Sequence, residues 1–118
     1  MTKVLIVDDS FFIRNRLAGQ LSKQGFETIL AGDGVEAVST FRLIKPDIVL
    51  MDVTMPRKSG LEALAEIRQI DPRARVIVLT ALDQPAVATE AIRLGAKDFL
   101  AKPVDNTVLL ASMERALK

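Results

Sequence analysis

Ile48-Val49-Leu50-Met51 runs without a polar break into Asp52. Apolar residues in unbroken succession, rather than in alternation, need cover on both faces, as an interior strand of a parallel sheet does. Similar runs recur on either side, at Val4 to Val7, Glu27 to Ala31, Val76 to Leu79 and Phe99 to Leu100. Between them the apolar spacing becomes helical. The first helix opens on Ser10 as N-cap, carries Ile13, Leu17 and Leu21 on one face and stops at Gly25. The second follows Asp33-Gly34, turns Val38, Phe41 and Ile44 inward and ends before Pro46. The third begins near Gly60 and uses Leu61, Leu64 and Ile67 as far as Asp71-Pro72. The fourth, opened by Asp83-Gln84-Pro85, turns Val87, Ala91 and Ile92 inward and ends at Gly95. The fifth, Asn106 to Leu117, buries Leu109, Leu110, Met113 and Leu117. Strict alternation of five strands and five helices, with right-handed crossovers, predicts an α/β fold: a doubly wound parallel sheet covered on both faces.

The 118 residues suit one domain, spanning 1–118, with a sizeable core. Sixteen Lys and Arg against 15 Asp and Glu leave a net charge of +1, so no strong field draws the chain to nucleic acid or anionic lipid. No apolar run approaches the roughly 20 residues that span a bilayer, and Met1-Thr2-Lys3 leads into a strand rather than a signal sequence. A cytoplasmic protein without membrane contact is expected. There is no cysteine and no histidine, which removes disulfides, thiol nucleophiles, most zinc sites and imidazole catalysis. Carboxylate, hydroxyl and lysine chemistry remain.

Four of the apolar strands run directly into a polar residue at the carboxyl end: Asp8, Asp52, Thr80 and Lys102. In open parallel sheets the ligand crevice lies outside the strand carboxyl ends, where the strand order reverses. With strand order 2-1-3-4-5, the first and third strands flank it, and Asp8 and Asp9 face Asp52. Three carboxylates so close repel one another unless some protonate or a cation joins them. Oxygen ligands without His or Cys favour a hard ion, Mg²⁺ or Mn²⁺, whose open positions suit a phosphate-bearing substrate. A carboxylate can itself be the nucleophile of phosphoryl transfer, with Lys102 and Thr80 as charge and hydroxyl donor, so no further base is needed. Singly, these residues have ordinary explanations. Asp9 serves as a helix cap or turn former, Thr80 as a strand end and Lys102 as solvated charge. Their joint placement at strand ends argues for a site.

Val7-Asp8-Asp9-Ser10, Met51-Asp52-Val53-Thr54-Met55-Pro56 with Gly60, Leu79-Thr80-Ala81, and Gly95-Ala96-Lys97-Asp98-Phe99-Leu100-Ala101-Lys102-Pro103 resemble the motifs of response-regulator receiver domains, in order and along the whole chain. Within that family the Met51–Pro56 stretch is most similar to stand-alone chemotaxis regulators of the CheY type. The resemblance implies a flavodoxin-like fold with strand order 2-1-3-4-5. It implies that Asp52 is the phosphoacceptor, that Asp9 and Asp52 ligate Mg²⁺ directly, that Asp8 acts partly through water, and that Thr54 lends its backbone carbonyl. Thr80 and Lys102 would hold phosphoryl oxygens, and Lys102-Pro103 would be a cis peptide. Thr80 and Phe99 would form the switch, although Phe99 read alone is a core aromatic on a strand. The implied partners are a histidine kinase or histidine phosphotransfer domain and a downstream protein. The phosphodonor would dock near Phe11 and Phe12, one of which is expected in the core behind Ile13. The downstream target would meet helix 4, strand 5 and helix 5 through Thr89, Glu90, Arg93, Lys97, Val108 and Ala111. Thr54 and Leu82 fall where the family tunes dephosphorylation, and an apolar Leu82 implies a long phosphoryl lifetime.

Three other readings compete. A phosphatase of the haloacid dehalogenase type wants a second acid two residues after the nucleophile, where Thr54 stands. A flavin carrier on the same architecture wants a phosphate-cradling loop after the first strand, where Asp8-Asp9 would repel the phosphate. A receiver cut from a longer regulator with a DNA-binding or enzymatic output domain has the same sequence features as a stand-alone one.

Overall fold

The computed structural model describes residues 1–55, 57–80 and 85–118. The expectations for Pro56, Ala81 and Leu82, and the Asp83-Gln84 opening of the fourth helix, lie outside the described residues. Five strands, β1 (Lys3–Val7), β2 (Glu27–Ala31), β3 (Ile48–Asp52), β4 (Val76–Thr80) and β5 (Asp98–Ala101), alternate with five helices, α1 (Phe11–Lys23), α2 (Gly34–Ile44), α3 (Gly60–Ile70), α4 (Pro85–Arg93) and α5 (Asn106–Leu117). All pairings are parallel and the order is β2-β1-β3-β4-β5, as expected. The order reverses between β1 and β3, whose register sets Val7 beside Met51, so Asp8 and Asp52 follow each other off neighbouring strand ends.

Period-two geometry divides the strands between two cores. Leu5, Val7, Val49, Met51, Val76 and Val78 pack with Ala37, Val38 and Phe41 of α2, Ala63, Leu64 and Ile67 of α3 and Ala91 of α4. Val4, Ile6, Ile48, Leu50, Ile77 and Leu79 face the other way, onto Leu21 of α1 and Leu109, Met113 and Ala116 of α5. Each buried Val, Leu, Ile, Phe or Met side chain contributes roughly 1.5–3 kcal/mol by leaving water. Two helix residues expected to face inward are exposed instead. Ile44, the last residue of α2, is 37% exposed and Ile92, on α4, is 52% exposed.

The helices begin where side chains supply the missing acceptors. Ser10 Oγ accepts from the Ile13 N–H at 3.2 Å, and Asp105 Oδ1 from Thr107 and Val108. Ser59 and Glu62 form a reciprocal capping box at α3. Helices α1 and α4 end two residues before Gly25 and Gly95, as expected.

Candidate functional site

The strand ends deliver a tight acidic pocket. Asp8, Asp9 and Asp52 each offer a carboxylate oxygen, all within 4.8 Å of one another. Asp8 and Asp52 are buried and Asp9 is exposed. Lys102, following β5, reaches across the sheet: its Nζ donates to Asp8 Oδ2 at 2.5 Å and lies 3.3 Å from Asp52 Oδ1. Only 14% of the Lys102 side chain is exposed, so it is a built part of the pocket rather than a solvated charge. Thr80, at the end of β4, is buried, and the Lys102 N–H donates to its carbonyl at 2.7 Å. The sequence-predicted residues Asp8, Asp9, Asp52, Thr80 and Lys102 thus collect at one end of the sheet. Thr54 follows β3 on the exposed rim.

Backbone donors orient the acids. The Ser10 N–H donates to Asp8 Oδ1 and the Val53 N–H to Asp52 Oδ1, both at 2.9 Å. Asp52 Oδ2 has no protein partner among the described residues. Burial, foremost, raises the pKa of Asp52; Lys102 opposes the shift, the negative charge of Asp8 adds to it, and the Val53 N–H opposes it.

Three contacts had no signal in the sequence. Arg14 Nη1 donates to the Asp8 carbonyl at 2.8 Å, with its guanidinium 5.8 Å from the Phe11 ring centroid. Ser112, buried in α5, donates to Asp98 Oδ2 at 2.6 Å and ties that helix to β5. Arg57 pairs with Asp33 across 24 residues. One expectation fails: Phe11 and Phe12 are both 72% exposed, so neither enters the core. The first turn of α1 stands at the pocket rim. Lys102-Pro103 is cis, as the resemblance implied.

Fold and pocket together define a carboxylate-and-lysine site at the switch point of a parallel α/β sheet, a class suited to a hard cation and a phosphoryl group. Residues 4–114 match the response regulator receiver domain family. The chain is 43% identical to Protein CcdB of Bacillus subtilis over 99% of its own length and 98% of that protein's. It is 44% identical to the chemotaxis protein CheY of Listeria monocytogenes over 100% of both chains. A chain of the CheX–CheY–BeF3–Mg²⁺ complex from Borrelia burgdorferi superposes with a TM-score of 0.95 at 36% identity, covering 99% of this chain and 90% of that one. The chain therefore belongs to the response regulator receiver family and is a CheY-like receiver domain of two-component signalling. Members of this family are phosphoacceptor switches that use Mg²⁺ and interact with histidine kinases and downstream targets. No helix among the described residues is long and apolar enough to cross a membrane.

Proposed function

We propose that Asp52 accepts a phosphoryl group from a histidine kinase or histidine phosphotransfer domain and that the modification switches a protein-binding face. The observation that carries this reading is the convergence of Asp8, Asp9 and Asp52 within 4.8 Å, with Lys102 Nζ 3.3 Å from Asp52. An all-oxygen donor set fits a hard divalent cation, so Asp8, Asp9, Asp52 and the Thr54 backbone carbonyl would hold Mg²⁺, or Mn²⁺ in its place. When bound, the ion supplies charge neutralisation for the transferring phosphoryl oxygens.

The chain's own residues do the rest. Asp52 Oδ2 attacks the phosphorus of the donor's phosphohistidine; an O–P bond forms as the P–N bond breaks, and the electron pair returns to the imidazole, which takes up a proton. A carboxylate needs no base, which fits a chain without histidine. Lys102 and the Thr80 hydroxyl then donate to the phosphoryl oxygens. The activity is confined to self-catalysed phosphotransfer and autodephosphorylation, in the cytoplasm where such donors act.

Thr80 and Phe99 form the switch. Phe99 lies on β5 in register with Val78, two residues before Thr80, and is half-buried against the core under α2, α3 and α4. Drawing Thr80 toward the phosphoryl group opens space for the ring, which has no hydroxyl to satisfy when it buries. The surface read by the downstream protein is α4, β5 and α5, where Thr89, Arg93, Lys97, Val108 and Ala111 are exposed and Glu90 pairs with Arg93.

The test is intact-mass and Phos-tag analysis after incubation with acetyl phosphate and Mg²⁺. Acid-labile addition of one phosphoryl group, lost in EDTA and in Asp52→Asn, supports the reading. No addition to folded wild-type protein would require withdrawing it.

A further inference from the structure

The chain between β3 and α3 carries Thr54, and its placement depends on contacts outside the acidic pocket. On one side the Gly60 N–H donates to the Val53 carbonyl at 2.8 Å, and a Cβ at Gly60 would stand 1.9 Å from the Asp52 carbonyl oxygen, so α3 begins in backbone contact with β3. On the other side Arg57 is bound to the start of α2. Its Nε donates to Asp33 Oδ2 at 3.0 Å, and Nη2 donates to the same oxygen. Asp33 is itself fixed, because its Oδ1 caps α2 by accepting from the Glu36 N–H at 2.8 Å. The next residue reinforces the seam: a Cβ at Gly34 would stand 2.3 Å from the Lys58 carbonyl oxygen.

Among the described residues no partner holds the Thr54 carbonyl, so its aim follows from these anchors. Arg57 also carries a left-handed backbone, φ 66°, which a side chain other than glycine or asparagine resists. Such conformations persist where the surroundings over-determine them, and they cluster at functional segments. The pair contributes little to global stability, since 62% of the Arg57 side chain is exposed. Its consequence is local.

We propose that the Arg57–Asp33 ion pair is a positioning device that holds the β3–α3 segment against α2, aims the Thr54 carbonyl into the acidic pocket, and thereby sets the affinity for the divalent cation. Arg57 and Asp33 act through Thr54 and touch neither the ion nor the phosphoryl group. The inference rests on the proposed metal site, with Thr54 among its ligands.

The experiment is calorimetric titration of the full chain with Mg²⁺, alongside melting temperatures in EDTA. Arg57→Asn removes the guanidinium but tolerates positive φ, and Asp33→Asn removes the charge but still caps α2. Each is expected to bind Mg²⁺ about 10-fold more weakly than wild type, the double variant no more weakly than either, because orienting partners of ligands carry effects of this size. Arg57→Lys, which keeps a cation facing Asp33, should recover most of the affinity. Wild-type Mg²⁺ affinity in both single variants overturns the inference and leaves the metal site standing. Weakened affinity matched by an equal fall in EDTA melting temperature also overturns it, as general destabilisation. Absence of Mg²⁺ binding by the wild type would remove the metal site and the inference together.

Discussion

Replacing Asp52 by asparagine should make the metal-free protein more stable. At an effective dielectric of about 20, unit charges 4.8 Å apart repel by about 3.5 kcal/mol, which is the least that Asp8 imposes on Asp52. Asp9 is exposed, and solvent reduces its share to about 1 kcal/mol or less. Against these, Lys102 Nζ at 3.3 Å from Asp52 attracts by about 5 kcal/mol on the same scale. Attraction and repulsion nearly cancel, so the desolvation of a buried carboxylate, several kcal/mol per ion, decides the sign. Asparagine escapes that penalty and its carbonyl can still accept from the Val53 N–H. The net gain is about 2 kcal/mol, or about 8 °C for a domain of this size.

The raised pKa of Asp52 agrees in sign. A carboxyl whose folded pKa exceeds its unfolded value destabilises the fold once ionised, so the penalty grows as pH rises through the window above 3.8 and is absent below it. Thermal melts of wild type and Asp52→Asn in EDTA at neutral pH measure the difference, and acidification should shrink it. Saturating Mg²⁺, at about 100 times its Kd, should return about 2.7 kcal/mol to the wild type and less to the variant. A variant that melts at or below wild type in EDTA would refute the electrostatic account of the pocket.

Gly60→Ala should destabilise by about 1–3 kcal/mol in urea melts, because its Cβ would stand 1.9 Å from the Asp52 carbonyl oxygen and force the β3–α3 junction apart. Leu50→Ala, in the core beneath α1 and α5, should cost about 2–5 kcal/mol by the same measurement. The lowered pKa of Asp33, owed first to the Glu36 N–H and then to Arg57, means that its stabilisation exists above the unfolded value of 3.8 and is lost as pH falls through the lower folded value. Asp33→Asn should therefore melt slightly below wild type at neutral pH and converge with it in acid. Phe11→Ala/Phe12→Ala should leave the melting temperature within about 1 kcal/mol equivalents of wild type, both rings being exposed, while slowing phosphotransfer from a protein donor more than from acetyl phosphate.

The fold was legible because its strands are unbroken apolar runs and its helices carry an i, i+4 stripe, signals local enough to survive without tertiary information. The same locality explains the misses. Ile44 and Ile92 occupy stripe positions, but one ends its helix and the other faces away from the cores, so periodicity continues where packing does not. Phe11 and Phe12 open α1 above the end of the sheet, and an aromatic pair there reads as core unless the overhang is known. The pocket was legible because strand ends in a doubly wound sheet converge by topology, so position alone brought Asp8, Asp52, Thr80 and Lys102 together. The Asp33–Arg57 pair lay beyond such reasoning. Asp33 already has a sufficient local reason as the cap of α2, and only the β2-β1-β3 order carries the following segments to each other.

In the proposed function Lys102 serves both the resting and the reacting form of the site. Three carboxylates against one ammonium leave two negative charges uncompensated, the charge of one divalent cation. Before the cation arrives, Lys102 Nζ bridges Asp8 and Asp52 and keeps two buried acids from driving the strand ends apart. That bridge has a cost for chemistry, because an ammonium held 2.5 Å from Asp8 Oδ2 is not yet directed at an incoming phosphoryl oxygen. If Asp8, Asp9 and Asp52 hold a divalent cation as proposed, Asp8 would hold the ammonium less tightly and Lys102 would become available to the phosphoryl group, so cation loading should precede efficient transfer. Lys102→Met separates the two roles. With the bridge gone and the acids unshielded, the metal-free protein should melt below wild type, and Mg²⁺ should close most of that gap. Phosphorylation by acetyl phosphate should remain slow even at saturating Mg²⁺, since the proposed donor to the phosphoryl oxygens is missing. A Lys102→Met protein phosphorylated at the wild-type rate under those conditions would show that the lysine serves the resting pocket alone.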